Sequence, residues 1–429
     1  MGTLRAIYLP CPSDRNIRRC LQGHSPFMAT LSMRYLYSPS HAQHHLFPNL
    51  LELRWCSQKT TELPFSPFFP PSLRSLALDF YYGDDNDDDD NIAPLLLLLL
   101  ESECLALTQL HIHGSFRRDN EHIQTLSRAL ESRSCRHLEP LDCGEIDEPA
   151  LWHLAQLPIF KNLAVRLPAR ISAHMACSDW FVGLHTLSLS ARNATSINLF
   201  LQLAPLSLKR IKINILGAGL SPPSSSTQLP STLSTRLCHK LLTSIETTPT
   251  FPQPRPEATL DTTTLRPPRI FPKPKCLRID RLCPFELNDD GLTELATAWP
   301  LEELILGHTG GWLRTSEITF KGLASLLRAC PLLHTLALAI DATQLGSISS
   351  TRPEVLNDKI KKLQLTNSTI EKPAAVALIL EDFFGSLKAV DAWSMNSQMD
   401  RRLHLQYRPL WDEVNSVLQS RKKLLHDSR

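Results

Sequence analysis

The chain has 429 residues, 42% of them hydrophobic, and its 45 basic and 43 acidic side chains leave a net charge of +2. This composition predicts a globular protein and excludes the disordered and collagen-like classes. The longest apolar run, residues 95–100, is far shorter than the roughly 18 to 20 residues that cross a bilayer.

The N-terminus and the cysteines favour an intracellular protein. Residues 1–10 contain one arginine and lack the sustained apolar stretch of a secretory signal. The 11 cysteines are odd in number and show no CxxC spacing, which favours reduced thiols over a disulfide framework. We therefore expect a cytoplasmic location, a nuclear location, or both.

Leucine occurs 77 times, and one leucine pattern recurs along most of the chain. Apolar residues stand at positions i, i+3 and i+5, as in Leu73, Leu76 and Leu78. Successive copies lie 22 to 34 residues apart, except for one gap of 66, and leucine-rich repeats have a period of about 20 to 29. The first positions of the twelve copies are Leu50, Leu73, Leu107, Leu138, Phe160, Leu184, Leu208, Pro274, Leu301, Leu333, Ile360 and Leu387.

The pattern has a simple structural meaning. Positions i+3 and i+5 lie two residues apart, so both point to one face of a short strand, and the first residue packs from the preceding turn. One such unit cannot bury its own leucines, but stacked neighbours can. The predicted fold class is therefore α/β: a leucine-rich-repeat solenoid, or right-handed α/β horseshoe, of about 12 degenerate repeats with a parallel sheet on its concave face.

Helical segments separate the predicted strands. Residues 292–299 place apolar side chains at i, i+3, i+4 and i+7, and residues 323–330 and 376–383 repeat this spacing. The segments GLTELATAWP at 291–300 and GLASLLRACP at 322–331 are near copies. Each is predicted to be an amphipathic helix that ends before a proline.

The segment ITFKGLASLLRACPLLHTL at 318–336 resembles the cysteine-containing leucine-rich repeat. The preceding unit matches it with Trp299 in place of the cysteine. Together with LFPNL and LRW at 46–55, these repeats resemble fungal F-box/leucine-rich-repeat proteins over about residues 46–420. The resemblance implies substrate recognition for a cullin-based ubiquitin ligase. It also implies an adaptor-binding F-box, which is not recognisable in residues 1–45.

The composition divides the chain into five segments. They are an irregular N-terminal segment at 1–45, repeats at 46–216, a Ser/Thr/Pro-rich insertion at 217–273, repeats at 274–395, and a capping helix with a basic tail at 396–429. The insertion fills the 66-residue gap. Its Pro-rich stretches predict partial disorder, and its leucines predict one helix over about 231–246.

The sequence contains no P-loop, HExxH motif or nucleophile elbow. We therefore predict that the chain is not an enzyme and has no cofactor. His111 and His113 share one strand face and could begin a metal site. They lack a third ligand nearby in sequence, which favours surface histidines and no metal.

A solenoid binds partners on its extended concave surface, which here presents positions i+2, i+4 and i+6. The predicted function is a protein-binding scaffold, either within a ubiquitin ligase or unconnected with ubiquitin. Nucleic-acid binding through basic residues is a third alternative, which lacks any recognised motif. The predicted partner-binding residues are Arg54, His111, His113, Arg166, Arg210, Lys212, Arg278, Asp280, Glu303 and Trp393.

Residues 205–280 carry 11 basic and four acidic side chains, a local charge of +7. Equivalent positions of adjacent repeats lie about 5 Å apart in a sheet, so Arg166, Arg210, Lys212 and Arg278 are expected to form one cluster. Such a cluster attracts acidic ligands. The predicted partner is a protein with an acidic or phosphorylated segment, with the ligase adaptor as a further partner if an F-box exists, and no membrane. The alternative is that the basic excess only decorates a solvated insertion.

Overall fold

A computed structural model gives the fold of this chain. The residues it describes are 6–9, 49–57, 70–80, 106–114, 120–172, 180–203, 206–216, 242–249, 260–261, 274–280, 285–308, 312, 314–345, 356–393 and 401–427. The chain divides into two compact units, residues 1–187 and 188–429, with the boundary inside the strand Thr186–Ala191.

The first unit is built on parallel strands that pair in chain order. Leu76 is in register with Leu53 on one side and with Leu110 on the other. This stacking forms the continuous core that a single repeat cannot make. The strands are β1 (Ala6–Leu9), β2 (Glu52–Ser57), β3 (Ser75–Phe80), β4 (Gln109–Gly114), β5 (Pro140–Glu145) and β6 (Asn162–Arg166).

Helices connect the later strands of the first unit. They are α1 (Asn120–Glu131), a 3₁₀ turn (Arg133–His137) and α2 (Glu148–Ala155). The Asp147 carboxylate caps α2 by accepting a hydrogen bond from the Ala150 N–H at 3.0 Å. The buried Trp152 ring stacks on Trp180 with 4.2 Å between ring centroids. The helix is thereby held against its neighbouring segment.

The second unit follows the same plan, with parallel strands in chain order and helices between them. Its sheet strands, after β7 (Thr186–Ala191), are β8 (Arg210–Ile215), β9 (Ser244–Pro249), β11 (Cys276–Ile279), β13 (Glu303–Leu306), β14 (Thr335–Ala337), β16 (Lys362–Gln364) and β18 (Ala389–Asp391). Short strands form two further parallel pairs: β10 (Leu260–Asp261) with β12 (Phe285–Glu286), and β15 (Asp341–Ala342) with β17 (Thr369–Ile370). The helices are α3 (Ala194–Leu203), α4 (Asp289–Ala298), α5 (Phe320–Ala329), α6 (Pro373–Phe383) and α7 (Arg401–Asp427). Each unit is thus an α/β leucine-rich-repeat solenoid.

The three helices predicted from apolar spacing correspond to α4, α5 and α6. Asn288 and Thr319 begin the first two, since their side chains accept hydrogen bonds from the N–H groups of Gly291 and Lys321. A side chain at Gly322 would bring its Cβ into collision with the Asp289 carboxylate and close to the Asp289 backbone. The shared glycine of the two near-copies is therefore required, at this position, for close packing of α5 against the preceding repeat.

The predicted leucine register is confirmed. All twelve predicted first positions are buried. At i+3, Leu110, Leu187, Leu304 and Leu336 are each no more than 1% exposed. The repeats thus share a column of buried apolar residues on one face of the strands.

The segment 217–273 contains a repeat that the sequence prediction missed. Part of the predicted helix at 231–246 is wrong, because Ser244–Pro249 is strand β9, which pairs with β8 and β11; the remainder of that helix lies outside the described residues. Leu242 and Ile245 occupy positions i and i+3 and are 2% and 7% exposed. Position i+5 of this copy is Thr247 and not an apolar residue, so the leucine pattern did not reveal the repeat. The 66-residue gap is therefore two intervals, of 34 and 32 residues.

The first strand also lies where the sequence predicted no regular element. Ala6–Leu9 pairs in parallel with β2, from Ala6 opposite Glu52 to Leu9 opposite Trp55. The segment predicted to be irregular at 1–45 therefore contributes a sheet strand. The other predicted segment boundaries stay predictions.

Helix α7 closes the end of the second unit. The Asn415 side chain accepts a hydrogen bond from the Val390 N–H and donates one to the Val390 carbonyl, both at 2.8 Å. Edge strands present unpaired backbone groups, and this amide satisfies those of Val390 in β18. The Trp411 indole is 1% exposed and donates to the Ser368 carbonyl at 3.0 Å. Within the described residues, no helix is long and apolar enough to span a membrane.

Candidate functional site

The candidate site is the open face, which we define as the sheet face formed by positions i+2 and i+4 of the repeats, and by i+6 in β4, opposite the buried leucines. In the first unit Glu52, Gln109 and Asn162 are exposed there. In the second unit Arg210 and Lys212 are exposed on β8, while Ile211 and Ile213 between and after them are 1% exposed. Strand alternation therefore separates core from surface, as the sequence register predicted.

Arg54 lies on the open face of the first unit and is already engaged. Its Nε donates to the Asp79 carboxylate at 2.9 Å. Asp79 is 4% exposed, whereas about half of the Arg54 side chain is exposed. A buried carboxylate is destabilising unless a cation pairs with it. Arg54 supplies that cation for Asp79.

Arg166 is half-buried at the end of β6. It is in register with Glu145 of β5, after an irregularity in the pairing that begins at Asp142. The neighbouring strand thus places a carboxylate beside this arginine, which reduces its local positive charge.

His111, His113 and Asp142 lie together on the open face of the first unit. His111 is in register with Asp142 across β4 and β5. The two imidazole rings stack with 6.2 Å between centroids, and His113 Nε2 lies 3.7 Å from Asp142 Oδ2. The ligand atoms of all three residues lie within 4.8 Å of one another.

The repeat register could have found this cluster. Asp142 is 31 residues after His111 and so is not a near neighbour in sequence. It stands at i+4 of the copy that begins at Leu138, the same position that His111 holds in the copy that begins at Leu107. The histidines have no third ligand nearby in sequence, as the sequence indicates, but the sheet brings Asp142 beside them from the next repeat. That no metal binds there stays a prediction.

The basic residues of the second unit do not form the predicted continuous cluster. Lys212 is in register with Glu246, and Glu246 is in register with Arg278. Strand β9 therefore separates Lys212 from Arg278 and inserts a carboxylate between them. Arg278 also lies 3.9 Å from the Asp280 carboxylate. Only Arg210 and Lys212 remain as an exposed basic pair on one strand.

Two predicted partner-binding residues are buried. Asp280 is 2% exposed, and its N–H donates to the Thr247 carbonyl at 2.8 Å. Trp393 is 3% exposed, donates from Nε1 to the Ser368 carbonyl at 2.8 Å and stacks on Tyr407. Both occupy position i+6, one or two residues after their strands end. Alternation ceases with the strand, so i+6 no longer faces outward.

Glu303 is half-buried on the open face, where its carboxylate accepts a hydrogen bond from the Cys276 thiol at 3.1 Å. Burial, followed by this hydrogen bond, raises the pKa of Cys276 to about 12. Burial likewise raises the pKa of Cys135 to about 12 and raises that of Cys143 and Cys330. These four cysteines are free thiols. A raised pKa keeps them protonated and poorly nucleophilic at neutral pH.

Comparison with known proteins adds little beyond the fold. No family model and no curated protein matches the chain. An internalin from Listeria monocytogenes is 15% identical, with a TM-score of 0.35, and the match covers 81% of this chain and 85% of that one. A leucine-rich-repeat protein from Leptospira interrogans is 13% identical, with a TM-score of 0.38, over 88% and 91% of the two chains. Similarity of this extent assigns no function, and the fold assignment rests on the strand pairing described above.

Proposed function

We propose that this chain is a non-enzymatic protein-binding scaffold whose open face receives the partner. The observation that carries the proposal is the alternation of the strands: polar side chains such as Gln109, Arg210 and Lys212 are exposed, while the leucines and isoleucines next to them are buried. Solenoids use such extended surfaces for binding. The protonated state of the four described free thiols fits a binding role better than cysteine-based catalysis.

The partner proposed is a protein with an acidic or phosphorylated segment. Arg210 and Lys212 support this choice, because two exposed cations on one strand attract an anionic segment. Arg166 and Arg278 contribute less to the proposal, since Glu145 and Asp280 lie beside them. The anion-binding part of the open face is therefore centred on β8.

A more specific proposal is substrate recognition within a cullin-based ubiquitin ligase. Its support is the resemblance of residues 318–336 to the cysteine-containing leucine-rich repeat. Cys330 of that repeat is buried, and its Sγ lies 3.4 Å from the Trp299 carbonyl of the preceding repeat. The alternative is a scaffold unconnected with ubiquitin. We also propose a cytoplasmic or nuclear location, on the support of the free thiols.

Affinity purification with quantitative mass spectrometry tests both levels of the proposal. The bait is the full chain, compared with Arg210→Glu/Lys212→Glu and with the matched control Lys209→Glu/Lys388→Glu, which reverses two exposed lysines outside the strands. We expect a partner that the open-face variant loses and the control keeps. A cullin and its adaptor among the captured proteins would support the ligase role. Their repeated absence, with other partners retained, would favour the independent scaffold.

The identified partner then permits a direct test of charge. Its affinity is measured at low salt and at about 0.5 M salt, where the Debye length falls to a few ångströms. We expect binding to weaken with salt and with the double charge reversal. Affinity that responds to neither would exclude an acidic segment on Arg210 and Lys212.

A further inference from the structure

We propose that His111, His113 and Asp142 form a binding site for a divalent transition-metal ion, with Zn²⁺ as the probe, on the open face of the first unit. Their ligand atoms lie within 4.8 Å of one another. Among the residues that the structure describes, they form the one cluster of three or more potential metal-ligating side chains.

The distances fit a zinc ion after small side-chain movements. Zinc binds histidine nitrogen and carboxylate oxygen at about 2.0 to 2.2 Å, which puts the ligand atoms of a tetrahedral site about 3.4 Å apart. His113 Nε2 and Asp142 Oδ2 are already 3.7 Å apart. The widest pair must close by about 1.4 Å from the 4.8 Å limit. The exposure of His113 (51%) and Asp142 (39%) leaves both side chains room to rotate.

The strands beneath the cluster are held by a packed core. Leu110 and Ile112 of β4 and Leu141 of β5 are no more than 2% exposed on the opposite face. The pairing of β4 with β5 sets Leu110 opposite Leu141 and His111 opposite Asp142. The ligands therefore project from paired strands over a packed core, and sites built on strands are more precise than sites on loops.

The two imidazoles and one carboxylate favour a transition-metal ion. Imidazole suits zinc, copper, nickel and iron, whereas magnesium and calcium require several oxygen ligands. Three protein ligands leave a coordination position open, as in catalytic zinc sites. The nearby carboxylate of Asp79, which is in register with His113, is bonded to Arg54 at 2.9 Å. The competing explanation of the geometry is an ordinary ion pair between protonated His113 and Asp142.

Zinc titration of the full chain distinguishes the two explanations. Binding is measured by calorimetry and by competition with a chromophoric zinc chelator, with Mg²⁺ as the control ion. The chain has 16 histidines and 11 cysteines, so background binding is subtracted with the variant His111→Ala/His113→Ala/Asp142→Asn. The matched control is His137→Ala, which changes an exposed histidine of the same unit outside the cluster.

We expect wild type to bind one more equivalent of zinc than the triple variant, His137→Ala to behave as wild type, and Mg²⁺ not to compete. Asp142→Asn alone should weaken zinc binding by at least about 10-fold, because losing even a residue that only orients a ligand costs about 10- to 100-fold. Equal stoichiometry and affinity in wild type and the triple variant would leave an ordinary ion pair and overturn the proposal.

A second measurement guards against misfolded variants. Zinc should raise the Tm of wild type, because a ligand that binds only the folded state stabilises it. The same zinc concentration should raise the Tm of Asp142→Asn, which keeps the shape of the side chain, by less. A Tm that zinc raises equally in both proteins would also overturn the proposal. The result does not depend on any partner protein, so it stands or falls separately from the scaffold function.

Discussion

The first strands of the first unit and the last strands of the second differ in length, and this difference decides how far the sequence register can be trusted. Strands β2 to β5 have six residues each, whereas β14, β16 and β18 have three. Residues alternate between the two faces only while the strand continues. His113 at i+6 therefore remains in β4 and is exposed, but Trp393 at i+6 follows β18 and is buried. Asp79 at i+6 of β3 is also buried, where it accepts a hydrogen bond from Arg54, so a strand that continues to i+6 permits exposure there without ensuring it.

The short-strand repeats are joined by side chains as well as by backbone. The Asp289 carboxylate accepts hydrogen bonds from the Thr319 N–H and hydroxyl, both at 2.7 Å. Two repeats later, the Asp341 carboxylate accepts from the Thr369 hydroxyl at 3.0 Å. The first contact joins the starts of α4 and α5, and the second joins the short paired strands β15 and β17, outside the main sheet. A repeat with few ladder hydrogen bonds thus gains polar contacts at its turns.

The largest difference in free energy of unfolding is expected between variants of Trp393 and His113, which both stand at i+6. Trp393→Ala should cost about 3 to 5 kcal/mol, as for other buried aromatic residues, because it removes a packed indole and its bond to Ser368. His113→Ala should change the free energy of unfolding by no more than about 0.5 kcal/mol. Urea unfolding followed by circular dichroism measures both. Similar costs for the two would mean that the early end of β18 does not explain the burial of Trp393.

Substitutions at i+3 should cost similar free energy of unfolding in the long-strand and the short-strand repeats. Leu110→Ala in β4 and Leu336→Ala in β14 should each cost about 2 to 5 kcal/mol, because both leucines are no more than 1% exposed. Arg210→Ala and Lys212→Ala should each stay within about 0.5 kcal/mol. Equal sensitivity of the leucines and these cations in the same unfolding assay would show that the strand register is wrong.

The end of the second unit should depend on one amide. Asn415→Ala leaves the Val390 N–H and carbonyl without their partner, and buried polar groups left unpaired cost about 1 to 3 kcal/mol. Ser420→Ala, an exposed position in the same helix, is the control and should be nearly neutral. Hydrogen exchange at the Val390 amide should also quicken in the Asn415 variant. Unchanged exchange there would mean that α7 does not hold the β18 edge through this side chain.

The sequence predicted the fold well because leucine spacing reports burial directly. Leu73, Leu76 and Leu78 are buried as expected, and the helices after Asn288 and Thr319 begin at recognisable caps. Strand β9 was missed because Thr247 interrupts the apolar pattern. No amount of leucine counting could have recovered it without the spacing of its neighbours.

The candidate site was predicted less completely, because it depends on which repeats are adjacent. The missing strand placed Arg278 next to Lys212 in the prediction, where Glu246 actually lies. Asp142 was overlooked beside the two histidines for a related reason, since contacts across repeats join residues about 30 positions apart. Strand ends such as Asp280 failed because sequence alone does not show where a strand stops.

The smallest effect expected concerns the polar contacts of the short-strand repeats and depends on pH. Burial raises the pKa of Asp341, but hydrogen bonds from Thr343, Thr369 and Gln344 outweigh it and hold the pKa below its usual value of 3.8. A carboxyl whose pKa is lower in the folded state stabilises the fold above its unfolded pKa and loses that contribution as pH falls through the folded pKa. Asp341→Asn should therefore be less stable than wild type at pH 6.

The difference in free energy of unfolding between wild type and Asp341→Asn should shrink as the pH is lowered below about 4, the ordinary range of aspartate titration. Urea titrations at a series of pH values measure it. Asp382→Asn, a change of an exposed carboxylate on α6, controls for the loss of one surface charge and should leave stability at pH 6 nearly unchanged. If the difference in free energy of unfolding between wild type and Asp341→Asn were constant down to about pH 3, below the ordinary aspartate pKa, the charge of the carboxylate would not matter for these hydrogen bonds. The contribution of Asp341 to stability would then be independent of its ionisation.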